Sequence, residues 1–486
     1  MRSRRARFAL AAAVLLVVGG LALGLVSGVF GRLTGSGTGA TSTPAPPSVL
    51  TSTDPSGHVG RRTTAPTPSA QDDLPAVLTA AGGSDVVESK SELARRIAAV
   101  DTNGMGGSWT GVVVDVDSKR VLYGHNRDRG YTPASTMKLL TTVSALELLG
   151  PEHRFTTSVV AGGPHGRASN KIVLVGGGDP YLALKTVDRY PTRASLTALA
   201  KSTATALKKA GRTKVTLGYD TSLFSGPERN PRWPGAYADQ VTSISPLWVD
   251  EGRTSGYSPG PRVEDPAATA AKAFASALEK RGVDVTTIRH TTAARGAERV
   301  AAVSSMPVAQ IVEQLLLSSD NDAAEVMFRQ VARAAGQPAS FAGGVVAVRK
   351  TLTSLGIWEV GTKIYDGSGL ARENKVSADV LTRAVRVAMA PDRPRLRSLL
   401  TGMPTASVDG SLRLRFADDA GKPGRGVLRA KTGTLSKVHS LAGYVLTKDG
   451  SLVAFAFVAN DVKNDFASAK WLEHVTAAVA ACGCKA

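Results

Sequence analysis

Tyr131-Thr132-Pro133-Ala134-Ser135-Thr136-Met137-Lys138 opens a run that stays largely apolar to Leu149 and stops at Gly150-Pro151. Gly followed by Pro suits a helix end, and the spacing predicts a helix over 135–149. Ser135 and Lys138 stand at i and i+3 on its first turn, where side chains share a face. The helix N-terminus favours negative charge developing on Ser135 Oγ. A nucleophilic serine needs a neighbouring base, and a lysine serves once burial or a nearby cation lowers its pKa. Alone the motif is weak. With this many Ser and Lys, about one S-x-x-K spacing arises by chance, and a capping Ser beside a surface Lys is the plain alternative.

Outward from this helix the chain reads as α+β. Upstream, Leu93, Ile97 and Val100 are spaced as on a helix, Trp109–Val116 alternates as a strand, and Val121–Tyr123 returns after the Asp117-Ser118 turn. Downstream, residues 153–300 show short apolar runs (Ile172–Val175, Val215–Leu217) between Gly and Pro turns. Helices are expected again at 306–317, 322–335 and 341–355. The end of the chain reads as a hairpin, Ser440–Leu446 and Leu452–Ala459 around Lys448-Asp449-Gly450, followed by a helix over 466–481. Strands at both ends with helices between them predict a discontinuous domain, 88–152 plus 301–486. Residues 153–300 are then one inserted, mainly β or mixed domain.

Two further short motifs follow in order. Ser319-Asp320-Asn321 comes after the apolar Leu315-Leu316-Leu317, where a helix cap is the ordinary explanation. Lys431-Thr432-Gly433-Thr434 continues the strand-like Val427–Ala430. There Gly433 would let a ligand lie along the strand edge, with Lys431 and two hydroxyls facing its carboxylate. A plain turn is the alternative. Taken together, S-x-x-K, S-D-N and K-T-G in sequence form the named signature of penicillin-recognising serine enzymes.

At this point the chain resembles the class C low-molecular-mass penicillin-binding proteins, the D-alanyl-D-alanine carboxypeptidase/endopeptidase family. The resemblance runs from about residue 88 to 480. It includes Val173–Pro180, Asp220–Phe224, Asp366-Gly367-Ser368-Gly369-Leu370-Ala371-Arg372 and Val408–Leu412. It implies a serine β-lactamase/transpeptidase-like domain that trims peptidoglycan stem peptides through a Ser135 acyl-enzyme and is inhibited by β-lactams. Lys138 would be the base, its pKa depressed by nearby Lys431. Ser319 would relay a proton to the leaving amine, and Asn321 would hold Lys138 and the substrate amide. The N–H groups of Ser135 and Thr434 would form an oxyanion hole. Lys431, Thr432, Gly433 and Thr434 would bind the terminal carboxylate. Asp220 and Arg372 would meet a diaminopimelate side chain. No cofactor is implied.

Rival readings separate on particular residues. Gly256-Tyr257-Ser258-Pro259-Gly260 is a G-x-S-x-G match, but Pro259 has no N–H to offer an oxyanion, so a nucleophile elbow is rejected. None of the seven His forms a helical H-x-x-x-H pair, and the two Cys lie in the last five residues, so a metal site is not expected. A β-lactamase remains the enzyme alternative, and a catalytically silent wall-binding homologue the other. The 180 residues between Lys138 and Ser319 exceed what a simple β-lactamase holds.

The compartment is read from the N-terminus. Arg2, Arg4, Arg5 and Arg7 precede an uncharged apolar run from Phe8 to Gly31, long enough to span a bilayer. Residues 1–31 are therefore expected to anchor the chain in the membrane or, if cleaved, to direct secretion. Residues 32–87, rich in Ser, Thr, Pro and Gly, would be a disordered tether. The net charge of +19 then suits an exported body facing an anionic wall. A nucleic-acid binder fails on export and on the lack of any reader motif.

Overall fold

The computed structural model describes residues 86–162, 170–187, 190–256 and 258–483. The expected anchor and nearly all of the expected tether lie outside them. Helix α1 (Val86–Ala98) already covers the tether's last two positions. It leads into strands β1 (Ser108–Asp115) and β2 (Val121–His125), then α2 (Lys138–Leu149). A mixed region follows: β3 (Thr156–Ala161), β4 (Lys171–Val175), α3 (Leu196–Lys209), β5 (Lys214–Asp220), α4 (Pro266–Glu279), β6 (Asp284–His290) and β7 (Arg299–Ser304). Then come α5 (Val308–Ser318), α6 (Asn321–Ala334), α7 (Phe341–Ser354), α8 (Ala378–Met389) and the short α9 (Ser398–Thr401). The chain closes with β8 (Leu428–Leu435), β9 (Val438–Leu446), β10 (Leu452–Asn460) and α10 (Asp465–Ala480).

The first sheet is antiparallel throughout, in the order β2-β1-β10-β9-β8. Its middle strand β10 is apolar at nearly every position, as a strand covered on both faces must be. Alternation divides it cleanly. Ala454, Ala456 and Val458 face one cluster with α2, α5, α6 and α8, while Val453, Phe455 and Phe457 face another with Leu93 of α1 and Trp471 of α10. Helices therefore lie on both faces, giving three layers. Burying an aliphatic or aromatic side chain contributes about 1.5–3 kcal/mol, so β10 alone ties both helical layers to the sheet.

The second sheet, in the order β6-β5-β4-β3-β7, is parallel from β6 to β4 and antiparallel beyond. It has its own apolar cluster, which includes Leu174, Leu217, Leu199 and Phe274. The reading of 153–300 as short runs between turns missed two helices here. Helices α3 and α4 are rich in Ala, Thr and Ser, so few large residues mark their period, yet Ser195 and Asp265 cap them through the N–H groups of Ala198 and Ala268. At the C-terminus Cys482 is disulfide-bonded. Among the described residues no helix is long and apolar enough to cross a membrane.

Candidate active site

The site lies beside β8, an edge strand of the first sheet. The chain reaching it is tied to β10: Asn460 Oδ1 accepts the N–H of Thr132 (2.8 Å), and its Nδ2 donates to Thr132 O (3.1 Å). Pro133 O then accepts from Ser440 Oγ of β9 (2.6 Å) and from Thr136 Oγ1 (2.7 Å). Ala134 is left-handed, with φ 47°. The expected helix over 135–149 is thus in two parts, a 3₁₀ turn over Ala134–Met137 and α2 from Lys138. The turn sets Ser135 at the mouth of the cleft and sends Lys138 inward.

Lys138 is fully buried. Its Nζ lies 2.8 Å from Ser135 Oγ, 2.7 Å from Asn321 Oδ1 and 2.9 Å from Ser368 O. The last two can only accept. A neutral amine has two N–H bonds and one lone pair, so these contacts use both hydrogens and leave the lone pair to the serine hydroxyl. Burial lowers the Lys138 pKa to about 8, against the pull of Glu325, Asp320, Asp366 and Asp322. Burial, rather than the expected repulsion from Lys431, is therefore the first cause. The repulsion is felt on Lys431, whose pKa is pushed well down by burial and then by Lys138.

Ser319 caps α5 in the left-handed region (φ 59°), and Asp320 caps α6 by accepting from Ala323 N (3.0 Å). Ser-Asp-Asn is thus a helix cap that also presents two functional side chains, one on each side of Asp320. Ser319 Oγ accepts from Lys431 Nζ (2.7 Å), which also donates to Thr432 O (2.7 Å). Asn321 Nδ2 donates to Gln240 O (3.1 Å), which turns its Oδ1 toward Lys138. Thr432 Oγ1 meets Ser411 Oγ at 2.8 Å.

A cleft of about 710 Å³ is lined by Ser135, Ser319, Asn321, Thr432, Thr434 and Arg372, with Tyr237, Gln240 and Arg253 among those facing them. Arg372 reaches it from the 365–374 loop, which the Asp366 carboxylate ties together. Its Oδ1 accepts from Gly369 N (3.0 Å) and Asn374 Nδ2 (2.8 Å), its Oδ2 from Ala371 N (2.6 Å) and Trp233 Nε1 (2.9 Å). Gly369 has φ 89°, and a Cβ there would sit 1.9 Å from Ala134 O. Under the loop, the buried Glu325 carboxyl receives the N–H groups of Gly367 (3.0 Å) and Ser368 (2.7 Å), aiming Ser368 O at Lys138.

The structure brings Ser135, Lys138, Ser319, Asn321, Lys431, Thr432, Gly433, Thr434 and Arg372 together. It does not bring Asp220. That residue ends β5, is buried, and has one oxygen on Ser222 N (2.7 Å) and the other on Ala293 N (2.7 Å). Its two oxygens hold that turn, and Asp220 is not among the residues that line the cleft. Ser258 does line the cleft, with Arg262 Nη2 3.4 Å from its Oγ. Arginine is no base, in keeping with its rejection as a nucleophile. Sequence reasoning missed Ser368, Glu325, Gln240, Trp233 and Arg253. Only Ser368 and Glu325 carried a signal, one inside the Asp366–Arg372 string and one four residues past Asn321.

Comparison with known proteins gives a consistent answer. The model of the D-Ala-D-Ala carboxypeptidase 3 (S13) family matches residues 92–258 and 254–480. A carboxypeptidase of Mycobacterium tuberculosis is 35% identical over 362 residues, covering 73% of this chain and 77% of the relative. Carboxypeptidase DacB of Mycolicibacterium smegmatis is 35% identical over 401 residues, covering 81% and 85%. Among solved structures, penicillin binding protein 4 of Haemophilus influenzae superposes with a TM-score of 0.65 at 21% identity, covering 80% of this chain and 99% of that one. That likeness bears out the α+β, β-lactamase-like fold.

Proposed function

The chain belongs to the D-Ala-D-Ala carboxypeptidase 3 (S13) family, and we propose that it is an exported serine D-alanyl-D-alanine carboxypeptidase, also able to act as an endopeptidase on peptidoglycan stem peptides. Ser135 Oγ attacks the carbonyl between the two D-alanines and passes its proton to the lone pair of neutral Lys138. The N–H groups of Ser135 and Thr434 hold the resulting oxyanion, each worth about 10²–10³ in rate. Ser319, hydrogen-bonded by Lys431, relays the proton that Lys138 took up to the departing amine as the tetrahedral intermediate collapses to the acyl-enzyme, which returns Ser319 and Lys138 to their starting states. Water then releases the peptide. Lys431, Thr432 and Thr434 take the terminal carboxylate, and Arg372 takes a carboxylate of the stem-peptide side chain, diaminopimelate in this reading. Penicillins acylate Ser135 by the same attack.

The observation that carries this reading is the environment of Lys138 Nζ, which sits between two obligate acceptors and the serine hydroxyl in a fully buried site. A silent wall-binding protein gains nothing from burying two lysines there, since each costs desolvation. The division into a discontinuous catalytic domain and an insert over 153–300 is supported by the separate apolar core of the second sheet. The anchor over residues 1–31 is a reading of the charge and apolar pattern alone. Intact-protein mass spectrometry after penicillin treatment tests the site. One acyl adduct is expected on the wild type and none on Ser135→Ala, and an unmodified wild type ends the reading. Product analysis on muropeptides then distinguishes release of D-alanine from cross-link cleavage, and fast turnover of the penicillin would point to a β-lactamase instead.

A further inference from the structure

Asp320 and Asp322 flank Asn321, and both are buried. The groups that meet them are Glu251, Arg253 and Arg262, which lie outside the three motifs. Arg253 Nη2 lies 2.9 Å from Asp320 Oδ2 and 3.3 Å from Asp322 Oδ2, and Arg253 Nε lies 2.9 Å from Glu251 Oε2. Arg262 Nη2 lies 3.2 Å from Asp322 Oδ2. Glu251 is also in side-chain hydrogen-bond contact with Asp320. Two buried carboxyl groups in such contact share one proton, because both cannot be ionised that close together. Three carboxyls, two guanidiniums and one shared proton leave the cluster neutral. Asp250 and Glu251 both hold left-handed backbone (φ 48° and 57°) to deliver this arrangement, and non-glycine residues keep such conformations only where their surroundings impose them.

We propose that Arg253 is a positioning residue for Lys138: its guanidinium cancels the charge of Asp320 and Asp322, so that the neighbouring amine stays neutral and Asn321 stays in reach of it. The inference rests on the reading of Lys138 as the base. The charged groups acting on Lys138 are Asp320, Asp322 and Glu325 at the start of α6 and Asp366 in the loop above, while Lys431 on β8 is itself acted on by Lys138. The cluster around Asp320 and Asp322 is balanced by cations from outside the catalytic motifs. Removing Arg253 adds net negative charge beside the amine and makes it hold its proton more tightly. A more basic Lys138 is neutral only at higher pH, so the rising limb of acylation moves to the alkaline side.

The test is the pH dependence of Ser135 acylation by a fluorescent penicillin in the full chain. Arg253→Met is expected to move the rising limb up by about one pH unit, about tenfold slower at neutral pH, and to rejoin the wild type at high pH. Asp322→Asn removes a negative charge and is expected to move the limb down by up to about one unit. It is the deciding variant if Arg253→Met fails to fold. Glu251→Gln, which mimics a protonated carboxyl, is expected to keep the wild-type limb. Rates lowered equally at every pH in Arg253→Met, or an unmoved limb in Asp322→Asn, overturn the inference. A limb moved down in Glu251→Gln overturns the shared proton. A wild type that is not acylated at any pH refutes the reading of the site itself, a different failure from a limb that stays in place.

Discussion

Gly433 pairs with Ser440 across the β8–β9 ladder, and the space beside its Cα is already taken. A Cβ built there would lie 2.1 Å from Ser440 Oγ, 2.7 Å from Pro133 O and 3.0 Å from Ser135 N. Gly433→Ala must therefore displace the Ser440 hydroxyl, which now donates to Pro133 O (2.6 Å), and press on the backbone carrying the nucleophile. Losing that hydrogen bond costs about 1 kcal/mol, and overpacking adds about 1–3 kcal/mol. The larger effect falls on chemistry. Moving Ser135 N from its place loses one oxyanion donor, a drop of about 10²–10³ in rate. Acylation by a fluorescent penicillin, run beside a thermal melt, separates the two effects. The double variant Gly433→Ala/Ser440→Ala clears the nearest clash but leaves Pro133 O and Ser135 N in place, so stability should partly return while the rate does not. A Gly433→Ala protein that acylates within about threefold of the wild type would refute the assignment of Ser135 N–H as a donor.

The pH profile of the wild type gives a second check. With the Lys138 pKa lowered to about 8, the neutral amine prevails above that value and is lost below it. Acylation should rise tenfold per unit as pH approaches about 8 and then level off, and a flat profile from pH 6 to 9 would contradict Lys138 as the base. Trp233→Phe removes the indole N–H from Asp366 Oδ2 and leaves a buried carboxylate short of a donor. It should destabilise the protein by about 1–3 kcal/mol in a denaturant melt, with slower acylation because the 365–374 loop loses its tether. Arg372→Ala should leave melting unchanged, since among the described residues the guanidinium is held through Ser436 O at 3.0 Å. Its KM for a stem-peptide substrate should rise about tenfold or more with kcat little altered, and an unchanged KM would take Arg372 out of substrate binding.

Much of the fold was legible because its signals are local. The hairpin of Ser440–Leu446 and Leu452–Ala459 is announced by its apolar runs around Lys448-Asp449-Gly450, and α2 by its apolar run and by Gly150-Pro151. The helices α3 and α4 escaped notice because alanines and threonines fill them, and small residues leave a faint period. The site was legible as three short strings whose residues do meet, although 180 residues separate Lys138 from Ser319. What the strings did not reveal is how their members are held. Asp220 sits in a string shared with the family, yet its carboxylate receives two backbone N–H groups at the end of β5 and is not among the residues lining the cleft.

The sequence by itself determined the reaction class, because a nucleophile, a base and a carboxylate-binding strand each need particular residue types at fixed local spacing. Tertiary structure alone decided the electrostatics. That Lys138 is fully buried, that Ser368 O and Asn321 Oδ1 take both its hydrogens, and that Arg253 balances Asp320 and Asp322 all depend on groups distant in the chain. Local spacing fixes which groups can react. Burial and long-range partners fix their protonation, because the cost of a charge depends on what surrounds it in space and not on its neighbours in sequence.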